Sequence, residues 1–195
     1  MGQTDKSNNQ QIKTAGSEKN LQKAIFAGGC FWCMEPPYDD LPGVISTTAG
    51  YTGGNVPDPT YEEVSEGKTG HAEAVEIVFD STKISYQELL QVFWRNIDPT
   101  NPYGQFADWG SQYRTAIFYL DDKQKVLALK SKEELDKSGK FNKPVVTQIV
   151  PASKFYPAEE YHQEFYKKNP LRYNSYKTGS GRSGFLEKVW GSEKK

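Results

Sequence analysis

An α+β fold, with helices packed on one mixed or antiparallel sheet, is what this 195-residue chain predicts. Three observations carry that reading. Short alternating apolar runs mark strands, two helical runs open on capping boxes, and the elements follow in the order β, α, β, β, α, β, α, β, α. At this length a single domain with a sizeable core is expected, and the 13% aromatic content supplies bulky side chains to fill it.

The first element is the run Ala24-Ile25-Phe26-Ala27, closed by Gly28 and Gly29, which reads as a buried strand ending in a tight turn. Met34 to Leu41 follows as a short helix whose early hydrogen bonds Pro36 and Pro37 disrupt. Val44 to Tyr51 alternates as a strand, and Gly50 to Gly54 ends it in a flexible loop. Thr60-Tyr61-Glu62-Glu63 has the spacing of a capping box over a helical turn. Behind Gly70-His71-Ala72-Glu73, the alternation of Ala74 to Phe79 gives a half-buried strand.

Ser85-Tyr86-Gln87-Glu88 is a second capping box, and Leu89, Leu90, Phe93, Trp94 and Ile97 recur at helical spacing until Asp98-Pro99 stops the helix. Thr100 to Gly110, rich in Asn, Pro, Gly and Asp, reads as a long irregular loop of the kind that is either functional or disordered. A strand at Thr115 to Leu120, a charged helix at Asp122 to Ser138, a strand at Val145 to Val150 and a helix around Ala158 to Tyr166 complete the order. Residues 1–20, polar and without an apolar stripe, and the charged residues 192–195 read as disordered, leaving 21–191 as the folded unit.

The 24 basic and 25 acidic residues are well mixed and leave a net charge of −1, which gives no electrostatic reason to expect nucleic acid or an anionic membrane as partner. No apolar stretch is long enough to span a bilayer, and no apolar core near Met1 marks a signal peptide. The chain as written therefore reads as cytoplasmic, although a tail of this composition also suits an exported form whose leader has been removed. Nothing suggests an obligate oligomer, so a monomer is expected.

The densest chemistry lies in Gly28-Gly29-Cys30-Phe31-Trp32-Cys33, which holds the only two cysteines. If a helix starts there, Cys30 sits among unpaired N–H groups that favour its thiolate, and Cys33, one turn on, can close a disulfide with it. Three other readings compete: two inert buried cysteines, half of a zinc site, and a thioredoxin-like CxxC acting as a general thiol-disulfide oxidoreductase. Zinc would need further ligands, and the only histidines, His71 and His162, have no partner at zinc-finger spacing. The two intervening aromatics look more like a wall for an apolar group than a turn for disulfide exchange.

Taken together, Gly29-Cys30-Phe31-Trp32, Ala49-Gly50-Tyr51-Thr52-Gly53-Gly54, Gly70-His71-Ala72-Glu73-Ala74-Val75 and Gly110-Ser111-Gln112-Tyr113-Arg114 resemble the ordered signature blocks of A-type peptide methionine sulfoxide reductases, over about Lys23 to Asn169. The resemblance implies a ferredoxin-like core with long coils. It also implies reduction of the S epimer of methionine sulfoxide, free or in oxidised proteins, with electrons from thioredoxin or another dithiol and no metal or other cofactor. By motif position, Cys30 is the nucleophile and Glu73 the proton donor. Tyr61 and Tyr113 hold the sulfoxide oxygen, Phe31 and Trp32 wall the substrate methyl group, and Asp108 is a carboxylate of the pocket.

Family members that resolve through cysteines near the C-terminus differ from this chain, whose segment Lys177 to Gly191 has none. Cys33 is therefore the expected resolving residue. Gly179 to Gly191 is similar to the end of A-type domains that continue into a B-type partner.

Overall fold

A computed structural model of the chain describes residues 20–191, so the tail expectations for 1–19 and 192–195 lie outside the described residues. In chain order, β1 (Leu21–Gly28) leads into two four-residue helices, α1 (Phe31–Met34) and α2 (Pro36–Asp39). β2 (Val44–Thr52), α3 (Tyr61–Ser65), β3 (Ala72–Asp80) and α4 (Tyr86–Trp94) follow. The short pair β4 (Gly104–Gln105) and β5 (Asp108–Trp109) precedes β6 (Thr115–Tyr119), α5 (Asp122–Lys137), β7 (Gln148–Pro151) and β8 (Tyr156–Pro157). The chain closes with α6 (Phe165–Lys168), α7 (Pro170–Gly179) and α8 (Arg182–Trp190).

Six strands form one sheet in the order β7-β6-β1-β3-β2-β8. Every neighbouring pair is antiparallel except β6 and β7, which run parallel. The inner four, β6-β1-β3-β2, have the strand order of the ferredoxin-like βαββαβ unit. β1 is central, and its run Ala24 to Gly28 is buried on both faces. Ala24 and Phe26 point into the main core with Phe93, Tyr38 and Ile77, while Ile25 and Ala27 point the other way toward Ala74, Ala116 and Phe118.

The capping boxes at Thr60 and Ser85 are both formed, each hydroxyl accepting from the N–H of the glutamate three residues on. In α4 the residues Tyr86, Leu89, Leu90, Phe93 and Trp94 are buried on the main core. Where a long loop is expected between 100 and 110, the chain instead makes the β4–β5 hairpin. The strand expected at 145–150 forms over 148–151, beside β6.

Two expectations fail near the C-terminus. The helix expected over 158–166 is broken into a 3₁₀ turn at Glu160–His162 and the later α6. The reason is Glu164, which takes left-handed dihedrals (φ 49°) and sends its N–H to the Glu35 carboxylate at 2.9 Å rather than to a helical carbonyl. Beyond it, α7 and α8 form over segments that carry no helical apolar stripe. Each has a single fully buried side chain, Tyr173 and Arg182, so neither shows apolar periodicity.

Arg182 fixes the last helix to the cysteine turn. The whole residue is 2% exposed. Its guanidinium donates to the carbonyls of Gly28, at 2.9 Å, and Asn96, and it lies 4.6 Å from the centre of the Phe106 ring. Replacing Arg182 with alanine strands two buried carbonyl groups and opens a cavity, so a loss of about 3 kcal/mol or more of folding stability is expected in denaturant titration.

Candidate active site

β1 ends at Gly28, and Gly29 turns the chain with φ of 85°, where a Cβ would sit 2.6 Å from the Gln105 Cβ. Cys30 is then the N-cap residue of α1, so one helical turn delivers Cys30, Phe31, Trp32 and Cys33 together. Cys30 is 7% exposed, and its side chain makes no capping hydrogen bond to α1, although the Trp32 backbone N–H lies near enough to favour the anion slightly. Burial pushes the thiol well above its ordinary value, and the neighbouring Glu73, Cys33 and Asp108 add to the rise. The expected preference for thiolate is thus reversed in the resting protein. One N–H contact does not offset the loss of water around a buried anion.

Glu73 is the second residue of β3, on the strand face shared with Val75, Ile77 and Phe79. It is 2% exposed, and Tyr51 is its cross-strand partner. Its Oε2 accepts the Phe31 backbone N–H at 3.0 Å, which ties the carboxyl to the residue after Cys30. Burial raises its pKa to about 8, against the lowering influence of that N–H and with help from Asp108. The group therefore holds its proton at neutral pH. The loop before it depends on Gly54, where a Cβ would meet the His71 nitrogen at 2.3 Å. His71 accepts the Gly54 N–H at 3.1 Å and bonds the Val56 carbonyl at 2.8 Å, so it holds two loops together.

Tyr61 opens α3, where its backbone N–H donates to Glu159 Oε1 at 2.8 Å and its ring centre lies 4.4 Å from that of His162. Burial, then Glu73 and Cys30, push its hydroxyl up to about 12. Tyr113 ends the 3₁₀ turn Ser111–Tyr113, and burial followed by Glu73 and Tyr61 raises its hydroxyl as well. Both phenols keep their hydrogens, and the same carboxyl, Glu73, acts on both electrostatically. Asp108, on β5, accepts from the Tyr176 hydroxyl of α7, and burial raises its pKa while Tyr176 and Arg182 oppose the rise.

The two aromatics between the cysteines are placed differently. Phe31 is 1% exposed in the main core, its ring centre 5.9 Å from Tyr51 and 5.0 Å from His162. Trp32 is half-buried and stacks flat on Phe165 at 3.7 Å, with Tyr176 edge-on and the Arg172 guanidinium 5.6 Å away. Cys33 is buried against Phe165 and Tyr173. Burial raises its thiol too, opposed by Arg182 and Lys177. Both cysteines are free thiols.

Cys30, Glu73, Tyr61, Tyr113 and Asp108, which come from five separate segments, thus lie within electrostatic reach of one another. Several residues around them were not singled out for this role in the sequence. His162 accepts the Trp32 indole N–H at 3.0 Å through Nδ1, which places its own hydrogen on Nε2. Glu159 binds the Tyr51 hydroxyl at 2.8 Å as well as the Tyr61 N–H. Tyr176 and Phe165 complete the aromatic wall. A histidine amid aromatic and acidic residues was the available signal, but it was weighed only as a metal ligand. Among the described residues no three His, Cys, Asp or Glu side chains gather as a metal would require, and no helix is long and apolar enough to cross a membrane.

The chain is similar in sequence and in fold to known proteins. Residues 22–194 match the family model described as peptide methionine sulfoxide reductase. A relative from Bacillus subtilis, peptide methionine sulfoxide reductase MsrA, is 56% identical over 177 residues, covering 91% of this chain and 99% of its own. Among solved structures, Mxr1 from Saccharomyces cerevisiae in reduced form superposes with a TM-score of 0.73 at 32% identity, covering 78% of this chain and 88% of its own. Methionine sulfoxide reductase A of Corynebacterium diphtheriae gives 0.69 at 34% identity, with 78% and 76% covered.

Proposed function

Because this chain belongs to the peptide methionine sulfoxide reductase family and, as such, reduces methionine sulfoxide, we propose that Cys30 and Glu73 carry out the first chemical step on the S epimer. The observation that carries this reading is the protonated, buried Glu73, bonded to the residue beside the Cys30 sulfur. A sulfoxide sulfur accepts a nucleophile only if its oxygen is made a better leaving group, which calls for an acid and a thiol on the same centre.

Cys30 sulfur attacks the sulfoxide sulfur while Glu73 passes its hydrogen to the oxygen and takes up the one Cys30 releases. The Tyr61 and Tyr113 hydroxyls donate to that oxygen as charge develops on it. The sulfur–oxygen bond breaks as the hydroxyl passes to the Cys30 sulfur, the bond between Cys30 and the substrate sulfur breaks with its electron pair going to the substrate, methionine leaves, and Cys30 is left as the sulfenic acid. Trp32, held by Phe165 and His162, receives the substrate methyl group, with Phe31 behind it and Asp108 and Tyr176 closing the pocket. Cys33 then displaces water from the sulfenic acid to give the Cys30–Cys33 disulfide, which thioredoxin or another dithiol reduces with two electrons.

Oxidised methionine, free or in proteins, is thus the substrate and thioredoxin the partner, with no metal in the scheme. The protein works as a monomer in the cytoplasm, residues 21–191 forming one catalytic domain. Turnover of the separated sulfoxide epimers with dithiothreitol tests the reaction. The S epimer is expected to react at least about a hundredfold faster than the R epimer, since a fixed acid and nucleophile meet only one of the two oxygen placements. Equal rates would refute the proposed geometry.

A further inference from the structure

The β4–β5 hairpin carries a feature that the reduction chemistry leaves unused. Gly104 pairs with Trp109 and Gln105 with Asp108, and the Gly110 N–H closes on the Tyr103 carbonyl at 2.9 Å. One side of the hairpin is anchored. Gln105 is fully buried, its amide taking the Asp98 N–H and giving to the Asp98 carbonyl at 2.8 Å each. Phe106, at the tip, sits against Phe185 and under the Arg182 guanidinium. Asp108 turns inward to Tyr176, so strand alternation sends its neighbour Trp109 outward.

On that outer side Trp109 and Tyr103 are each 67% exposed, and their rings stack within 14° of parallel at 6.4 Å between centres. Two large exposed rings on a backbone held this firmly form a rigid surface that gives up little conformational freedom when something lies across it. Their place in the chain says what that is. Trp109 lies between Asp108 and the turn that carries Tyr113, so the exposed pair is borne on the same stretch of backbone that supplies two residues of the proposed pocket. A polypeptide entering that pocket by one side chain must run its flanking residues over the surface around it, and an extended chain covers about 3.5 Å per residue.

We infer that Tyr103 and Trp109 form a docking platform for the polypeptide on either side of an oxidised methionine, and so select peptide-bound substrate over the free amino acid. This rests on the reaction proposed above. The platform is specificity-determining and takes no part in the chemical step.

The test compares free methionine S-sulfoxide with a nonapeptide carrying the same residue at its centre, using dithiothreitol as reductant so that thioredoxin is absent. In the Tyr103→Ala, Trp109→Ala double variant, kcat/KM for the nonapeptide is expected to fall about tenfold, mainly through KM, the order expected for losing two aromatic contacts. The free amino acid is expected to stay within about twofold, and Trp109→Phe is expected to retain most of the peptide preference. Both rings are solvent-exposed, so an unchanged thermal midpoint verifies that the variant is folded. A parallel fall for both substrates or an unchanged nonapeptide KM would overturn the platform. Wild-type protein inactive on both substrates would overturn the proposed reaction instead.

Discussion

Cys30→Ser protein is expected to lose sulfoxide reduction outright, with kcat/KM lowered by at least about 10⁴-fold, the scale seen when a covalent nucleophile is removed. A serine hydroxyl is far less acidic and far less nucleophilic toward sulfur than a thiol, and it cannot form the sulfenic acid. The substitution exchanges sulfur for oxygen at a buried N-cap position, where serine is well accepted, so the fold is expected to survive. Cys33→Ser provides the contrast. It is expected to release one methionine per protein at near wild-type rate and then stall, with mass spectrometry finding one added oxygen on Cys30. Full steady-state activity in Cys30→Ser would remove the proposed mechanism, and unimpaired thioredoxin-driven turnover in Cys33→Ser would remove the resolving role.

Glu73→Gln is expected to slow the first step by about 10²–10⁴-fold, the range for a positioned general acid. The amide preserves size and can still bond the Phe31 N–H through its oxygen, but it has no acidic hydrogen to pass on. Stopped-flow measurement of methionine release in a single turnover checks this directly. In the wild-type protein the same step is expected to decline as pH rises through about 8, where Glu73 loses its proton, and that limb is expected to vanish in the variant.

Stability carries the same signature. Below about 4.5 the carboxyl is protonated in both folded and unfolded chains. Between about 4.5 and 8 the unfolded chain gives up the proton while the folded one keeps it. Folding stability therefore declines with rising pH across that window, by at most about 1.4 kcal/mol per unit. Above the folded value the loss levels off. Glu73→Gln removes this contribution, so its thermal midpoint is expected to gain on wild type between pH 5 and pH 8. A gap independent of pH would contradict the assignment of a neutral buried Glu73.

Much of the fold was legible because its strands and the helix α4 bury regular faces. Ala24 to Ala27 reads as a fully buried run since β1 is the central strand, and Ser85-x-x-Glu88 opens α4 because its two side-chain bonds depend only on local spacing. The C-terminal third was less legible. α7 and α8 each bury one side chain, Tyr173 and Arg182, and are otherwise held by scattered half-buried contacts such as Tyr176 and Phe185 rather than by a stripe, and Arg182 in particular is a charged residue spent on backbone carbonyls 86 and 154 positions away in sequence. No local pattern announces that.

The site divides along the same line. Cys30, Glu73, Tyr61, Tyr113 and Asp108 sit in recognisable motif blocks, and the fold brings their segments to one end of the sheet. His162, Glu159 and Tyr176 act through partners that are remote in sequence, such as Trp32, Tyr51 and Asp108. Their importance is visible only in three dimensions. The ionisation of Cys30 departs from the local pattern for a related reason: local spacing shows the N–H donors, whereas desolvation comes from chain segments far away.

That unionised sulfur has a consequence for life among oxidants. Hydrogen peroxide and alkylating reagents attack thiolate, so the resting Cys30, buried and with its thiol pushed up by desolvation, is expected to react with them slowly. Only a ligand that arrives with its own proton-hungry oxygen draws the reactive form out. The protein is thereby insulated from the agents whose damage it reverses, and its selectivity among electrophiles is set by hydrogen-bond demand before shape is consulted.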